Sequence, residues 1–125
     1  MNTTVSFEIA ELLQEKRIVI YSDYRYTDFK GIIRLERDAS AVFPFAPTIA
    51  DVVMWLYEKH GVWVNVDSDC YGVNWYSHIL PCSKQVYDDL ELRNKVYKSR
   101  FFIDASKTPT EAYSKSIEYC LTELI

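Results

Sequence analysis

The side chains able to do chemistry are few, and most lie in one stretch of the chain: His60, Asp67, Asp69, Cys70, His78 and Cys82. Asp67-x-Asp69-x-x-Gly72 resembles the opening of a calcium loop, because oxygen ligands at alternate positions suit a hard cation. The pattern then breaks, with Tyr71 at the third ligand position and His78 where the bidentate carboxylate belongs. A hairpin turn is the better account of "DSDCYG", since Asp, Ser and Gly are the residues that tight turns select. His60, His78, Cys70 and Cys82 would form a soft-metal set only if the fold assembled them, for they lack the closely spaced pairs by which structural zinc sites announce themselves. Cys82 or Cys70 beside His78 would make a nucleophile and its base. A small metal-dependent or cysteine/histidine hydrolase, using His78 with Cys82, Asp67 or Asp69, is therefore the enzymatic alternative. The plainer reading makes each cysteine a small buried or semi-buried hydrophobe and sets His60, next to Lys59, against the last carbonyls of a helix. No glycine-rich phosphate loop, G-x-S-x-G or H-E-x-x-H occurs. No catalytic residue, metal ligand or cofactor is assigned.

One surface is more promising. Beyond Gly61 the period changes to two, with Val62, Val64 and Val66 pointing one way and Trp63 and Asn65 the other. Val73 to Leu80 alternates again, Val73, Trp75 and Ile79 against Asn74, Tyr76 and His78. If the valines face the helices, Trp63, Asn65, Asn74, Tyr76 and His78 share the opposite face, where large rings and amides are costly to leave idle in water. That face is covered by the first hairpin and the Phe43-Pro44-Phe45 loop of the same chain, as sequential elements usually pack together, or it docks another protein or a second copy, for which Trp and Tyr are common anchors.

The elements that must hold this surface follow from local signals. Ser6 caps a first helix carrying Ile9, Leu12 and Leu13 and ending near Lys16-Arg17. Ile18 to Tyr21 reads as a strand, and Phe29 to Leu35 as a second that pairs back on it, with Gly31 marking a bulge. Two prolines place "ERDASAVFPFAP" in a loop with an extended piece around Val42 to Phe45. Thr48-x-x-Asp51 is a capping box that starts a helix with Ile49, Val52, Val53, Leu56 and His60 on one stripe and Asp51 and Glu58 opposite, ended by Gly61. From Pro81 to Lys98 strand and helix remain open, because "DLELRNKVY" alternates while Val86, Leu90 and Tyr97 also fit one helical face. Phe101-Phe102-Ile103 reads as a short strand. Thr108-Pro109-Thr110-Glu111 then caps a final helix that buries Tyr113, Ile117, Cys120, Leu121 and Leu124. The expected fold class is α+β, a mostly antiparallel sheet with helices packed on one face in the order α-β-β-α-β-β-(β)-α, forming a single domain over residues 1–125.

Whole-chain properties narrow the function classes. The 125 residues are 49% hydrophobic and 26% charged, a globular balance that needs no disulfide or metal staple. A net charge of −4 gives no electrostatic footprint for nucleic acid, so nucleic acid is disfavoured as a partner. Neither a signal-like start nor an apolar run of bilayer-spanning length is present, so no membrane partner is expected. An odd set of three cysteines without C-x-x-C spacing fits a reducing compartment, and the cytoplasm is the expected location.

Three stretches, "SFEIAELLQEKR", "APTIADVVMWLYEKHGVWVNV" and "DASKTPTEAYSKSIEYCLTELI", together resemble an uncharacterised family of short proteins carried by gut bacteria, their prophages and mobile elements. The match rests on an A-P-T-x(6)-W-L-x-E-K-H helix, here Pro47, Thr48, Trp55, Leu56, Glu58, Lys59 and His60, and on a T-x-E-A helix start at Thr110, Glu111 and Ala112. The chain departs from that pattern in lacking a Gly after the first helix and over Cys82 to Ser99. The resemblance implies a fold and a genomic setting but carries no activity. "TPTEAYSKSIEYCL" is also similar to the strand-then-helix ending of small antitoxin domains of the HicB type, which makes an antitoxin-like module another alternative.

Overall fold

The structure, a computed structural model, describes residues 3–26, 33–35, 44–69 and 71–125. It is a mixed helix and strand fold that divides into two compact units, Met1–Val52 and Val53–Ile125. Gly31, Val42, Phe43, Cys70 and the first half of the expected second strand lie outside the described residues.

In the first unit, helix α1 (Phe7–Glu15) starts where the Ser6 hydroxyl accepts from the Ile9 amide at 3.3 Å. Ile9, Ala10 and Leu13 form its buried stripe. Ile18–Tyr21 is not the first strand. Arg17 takes a left-handed conformation, φ 59°, and the Ile18 amide folds back on the Leu13 carbonyl at 2.9 Å, which wraps the chain around the helix end and leaves Tyr21 81% exposed. The strand forms later, as β1 (Tyr24–Tyr26), within what reads from the sequence as a polar connection. It forms there because it finds partners on both sides. β2 (Ile33–Leu35) pairs with it antiparallel, Tyr26 opposite Ile33, and on its other edge the Tyr26 amide donates to the Pro44 carbonyl at 3.1 Å and the Ala46 amide to the Tyr24 carbonyl at 2.9 Å. The Tyr26 hydroxyl donates to the Val5 carbonyl, and Val5 and Thr3 are tied to Pro47 and Ile49 by backbone bonds of 2.9 Å.

Helix α2 (Ile49–His60) contains the division between the units. The Thr48 hydroxyl accepts from the Asp51 amide at 3.1 Å, so the expected cap is real. Ile49, Val52, Val53 and Leu56 are buried, and Asp51 and Glu58 are exposed.

The second unit is built on the antiparallel ribbon of β3 (Val62–Ser68) and β4 (Trp75–Pro81). Helices α4 (Leu90–Phe102) and α5 (Pro109–Tyr119) pack against it, with α3 (Lys84–Asp88) against α4. Val62, Val64, Ser77 and Ile79 are the buried side of the ribbon. The open segment is therefore helical, capped twice: Ser83 accepts from the Val86 amide and Asp89 from the Leu92 amide. Phe101-Phe102-Ile103 is not a strand but the end of α4, with Phe101 and Phe102 72% and 69% exposed. What precedes α5 is thus a helix and a single bridge, Ser106 to Trp75, so the strand-then-helix likeness loses its strand. Val73 is likewise corrected, lying before β4 and exposed. Thr108 caps α5 through the Glu111 amide, with Pro109 at the first turn, and the chain closes in a π-helical turn, Cys120–Leu124, that buries Cys120 and Leu121. Among the described residues the strands form two separate two-stranded sheets. The order, α-β-β-α-β-β-α-α-α, carries more helix than the sequence pattern suggests.

The ends of α1 and α2 adopt the same left-handed conformation with different residues, Arg17 at φ 59° and Gly61 at φ 65°. A Cβ at Gly61 would strike the Ser83 hydroxyl and approach its Cβ to 2.6 Å. Arg17→Gly is expected to stabilise the protein by about 1 kcal/mol through relief of the left-handed penalty, and Gly61→Ala to destabilise it by about 2 kcal/mol or more, penalty and clash together. Urea melts of the two variants check both signs.

Candidate interaction face

The Gly61 amide donates to the Tyr57 carbonyl at 3.1 Å and ends α2, so Val62 is the first residue of the ribbon and its parity is set. Val62 and Val64 are buried, which sends Trp63 and Asn65 to the other side. In an antiparallel pair, residues directly opposite share a face. The register places Trp63 opposite Leu80, Asn65 opposite His78, and Asp67 opposite Tyr76. The outward face is therefore a polar centre with apolar ends. At one end Trp63 and Leu80 (45% exposed) meet Tyr57 of α2, whose ring stands edge-on to the indole at 5.7 Å. At the other end Tyr76 is 42% exposed. Between them the Asn65 amide donates to the Asp67 carboxylate at 3.2 Å, and His78 Nε2 lies 3.8 Å from the same carboxylate.

Of the five expected face residues, Trp63, Asn65, Tyr76 and His78 lie on the paired strands, and Asn74 continues the same alternation one position before β4, where its carbonyl accepts from the Asp69 amide at 3.0 Å. The Asn74 side chain donates to Asp69 and accepts from Lys107 Nζ, both at 3.3 Å. Asp69 organises the turn. Its carboxylate accepts from the amides of Val73 at 2.9 Å, Tyr71 at 3.2 Å and Asn74 at 3.3 Å. Those bonds, Val73's foremost, hold its carboxyl below the ordinary aspartate range. The calcium-like motif is thus spent on its own backbone. Leu80, Tyr57 and Asp67 are face residues that sequence reasoning missed. The parity shared by residues 76, 78 and 80 was the available signal for Leu80, whereas Tyr57 comes from another element and carried none.

The hydrolase constellation is not assembled with comparable closeness. His78 has an acid beside it, but Cys82 lies beyond the end of β4, and the strand from His78 to Pro81 alone rises about 10 Å. Cys82 is exposed rather than semi-buried, as it follows the last paired residue of the ribbon. Cys120 is buried, and that burial pushes its thiol up to about 12, away from the thiolate that nucleophilic chemistry needs. His60 packs its ring against Trp55, centroids 4.8 Å apart, and partial burial lowers its pKa. Among the described residues no group of three or more His, Cys, Asp or Glu side chains is arranged around a common point.

No family model, curated protein or solved structure matches the chain.

The two described cysteines should behave oppositely toward a thiol reagent. With iodoacetamide at pH 8 and peptide mapping by mass spectrometry, Cys82 is expected to label within minutes in the native protein and Cys120 only after denaturation. Native labelling of Cys120 at a comparable rate would contradict its burial.

Proposed function

We propose that this chain is a small non-enzymatic accessory protein that docks another protein chain, a second copy included, through the outward face of the β3–β4 ribbon. One observation carries the reading: the register stacks Trp63 with Leu80, Asn65 with His78 and Asp67 with Tyr76 on a face whose opposite side is the buried one. An aromatic and aliphatic anchor beside a hydrogen-bonding centre is the composition of an interface core and its adjoining polar contacts. The anchors sit on paired strands, so little side-chain or backbone freedom is lost on binding. The resemblance to short proteins of gut-bacterial prophages and mobile elements belongs to the same proposal and adds a setting in which small partner-binding proteins are useful, without adding an activity.

Sedimentation equilibrium and affinity capture test the reading on three proteins: wild type, Trp63→Ala and Tyr76→Ala, each first shown to be folded by circular dichroism and thermal melting. Truncating an interface anchor costs about 2 kcal/mol or more, a weakening of roughly 30-fold. Wild-type association that falls by that factor in Trp63→Ala supports the proposal. Association that is absent from wild type, or unchanged in both folded variants, removes it.

A further inference from the structure

In the second unit, the end of α4 and the last turns of α5 border an open cleft of about 310 Å³. Phe102 and Asp104 line it from the end of α4 and the residues just beyond, and Lys115, Glu118 and Tyr119 from α5. Of this unit Cys70 alone lies outside the described residues. No residue of the ribbon lines the cleft, so a variant here leaves the docking face untouched. We infer that the cleft binds a small aromatic cation, laid flat against its rings and charge-paired with its carboxylates.

The rings set the shape of the ligand. Phe102 and Tyr119 lie within 18° of parallel, with centres 6.5 Å apart. Flat groups touch face to face at about 3.5 Å, so rings at this distance are either opposed across a gap or slipped until they hardly overlap. Both arrangements leave ring face uncovered, and Phe102 is accordingly 69% exposed. The Tyr119 ring is fixed, because its hydroxyl donates to the Lys95 carbonyl of α4 at 2.7 Å. Small-ligand pockets run from roughly 300 Å³ upward, so this cleft suits one ring or two fused rings. Charge then selects among flat molecules. An aromatic face carries the negative end of the ring quadrupole and attracts cations. Asp104 and Glu118 stand at the same cleft, and among the described residues neither carboxylate has an ion pair or a hydrogen-bond donor. Lys115, the cation that lines the cleft, is engaged: its Nζ lies 3.4 Å from Glu111 and donates to the Ala105 carbonyl at 3.3 Å. Burial first, and then the Glu123 charge, raise the Tyr119 pKa, which places a third acid near the rings. An anion is repelled by ring faces and carboxylates alike. A flat neutral molecule keeps the stacking and loses the carboxylates, and only a flat cation uses both.

Saturation-transfer NMR and isothermal calorimetry on the full chain provide the test, with benzamidine as probe and benzamide as its uncharged counterpart of the same shape. Benzamidine is expected to bind, and benzamide about fivefold more weakly or worse. Phe102→Leu keeps an apolar side chain at an exposed position and removes the ring, whereas the double variant Asp104→Asn with Glu118→Gln keeps the shape and removes the charge. Each is expected to weaken benzamidine by about the same factor, with the melting temperature close to that of wild type. Absence of saturation transfer to millimolar benzamidine, equal binding of benzamidine and benzamide, or benzamidine affinity unchanged in either variant would overturn the assignment. N-acetylarginine amide presents a flat cation without an aromatic ring, as the side chain of a partner protein would. Tenfold tighter binding of that probe than of benzamidine would overturn the assignment to a free aromatic ligand.

Discussion

The ribbon of the second unit depends on one residue in a left-handed conformation. Gly61 closes α2 through the Tyr57 carbonyl, and its own carbonyl accepts from the Cys82 amide at 2.7 Å, fastening the far end of β4 to the start of β3. Ser83 lies so close that a side chain at residue 61 has no room. With both ends of the ribbon held at one point, the pairing of Val62 with Pro81 is fixed, and alternation does the rest. A slip of one residue would carry Trp63 inward and the valines out. The outward set of side chains is therefore a consequence of where the helix stops, not of any preference of the rings themselves.

How much of this was legible depended on whether the deciding interaction is local. The caps at Ser6, Thr48 and Thr108 bond amides three residues away, so the short sequence window contains the whole interaction, and all three helix starts can be read directly. Strand identity is different. Ile18 to Tyr21 has every local preference for a strand but no strand partner among the described residues, and Tyr24 to Tyr26 has weaker signals but neighbours on both edges. Helix α4 was ambiguous for a related reason. Leu90, Tyr97 and Phe101 lie on its exposed side while Val96 and Ser99 are buried, so apolar residues occur around the helix and the period marks no single face. The interaction face is readable from alternation along the ribbon; what alternation does not show is that Asn74, at its edge, is bonded through its side chain to Asp69 and Lys107.

The first unit is held by another kind of contact, a buried polar one. The Tyr26 hydroxyl reaches the Val5 carbonyl, and burial first, then the nearby Glu8 charge, raise its pKa, which keeps the phenol protonated and donating. Its ring stands edge-on to Phe7 at 5.2 Å. One side chain thus joins the short β1 strand to both the residues before α1 and its first turn. A three-residue strand would be marginal alone, and these ties, together with the Pro44 and Ala46 backbone bonds, explain why the strand forms here and not at the more strand-like residues before it.

Packing behind the ribbon shows what the second unit accepts in return for a rigid outward face. Ser77, Ser106 and Ser116 are buried, and their hydroxyls have no hydrogen-bond partner among the described residues. Each such group costs about 1 kcal/mol or more. They occur where elements pack together: Ser77 on the inward side of β4, Ser106 in the backbone bridge to Trp75, Ser116 on the buried stripe of α5. Larger side chains there would push helix from sheet, and the two amide-carbonyl bonds between Ser106 and Trp75, both 2.8 Å, require that closeness. A two-stranded ribbon is pliable by itself. Clamped at Gly61, bridged at Ser106 and backed by two helices, it presents Trp63, Leu80 and Tyr76 at fixed spacing, so the small side chains behind the sheet and the large ones in front of it answer the same mechanical demand.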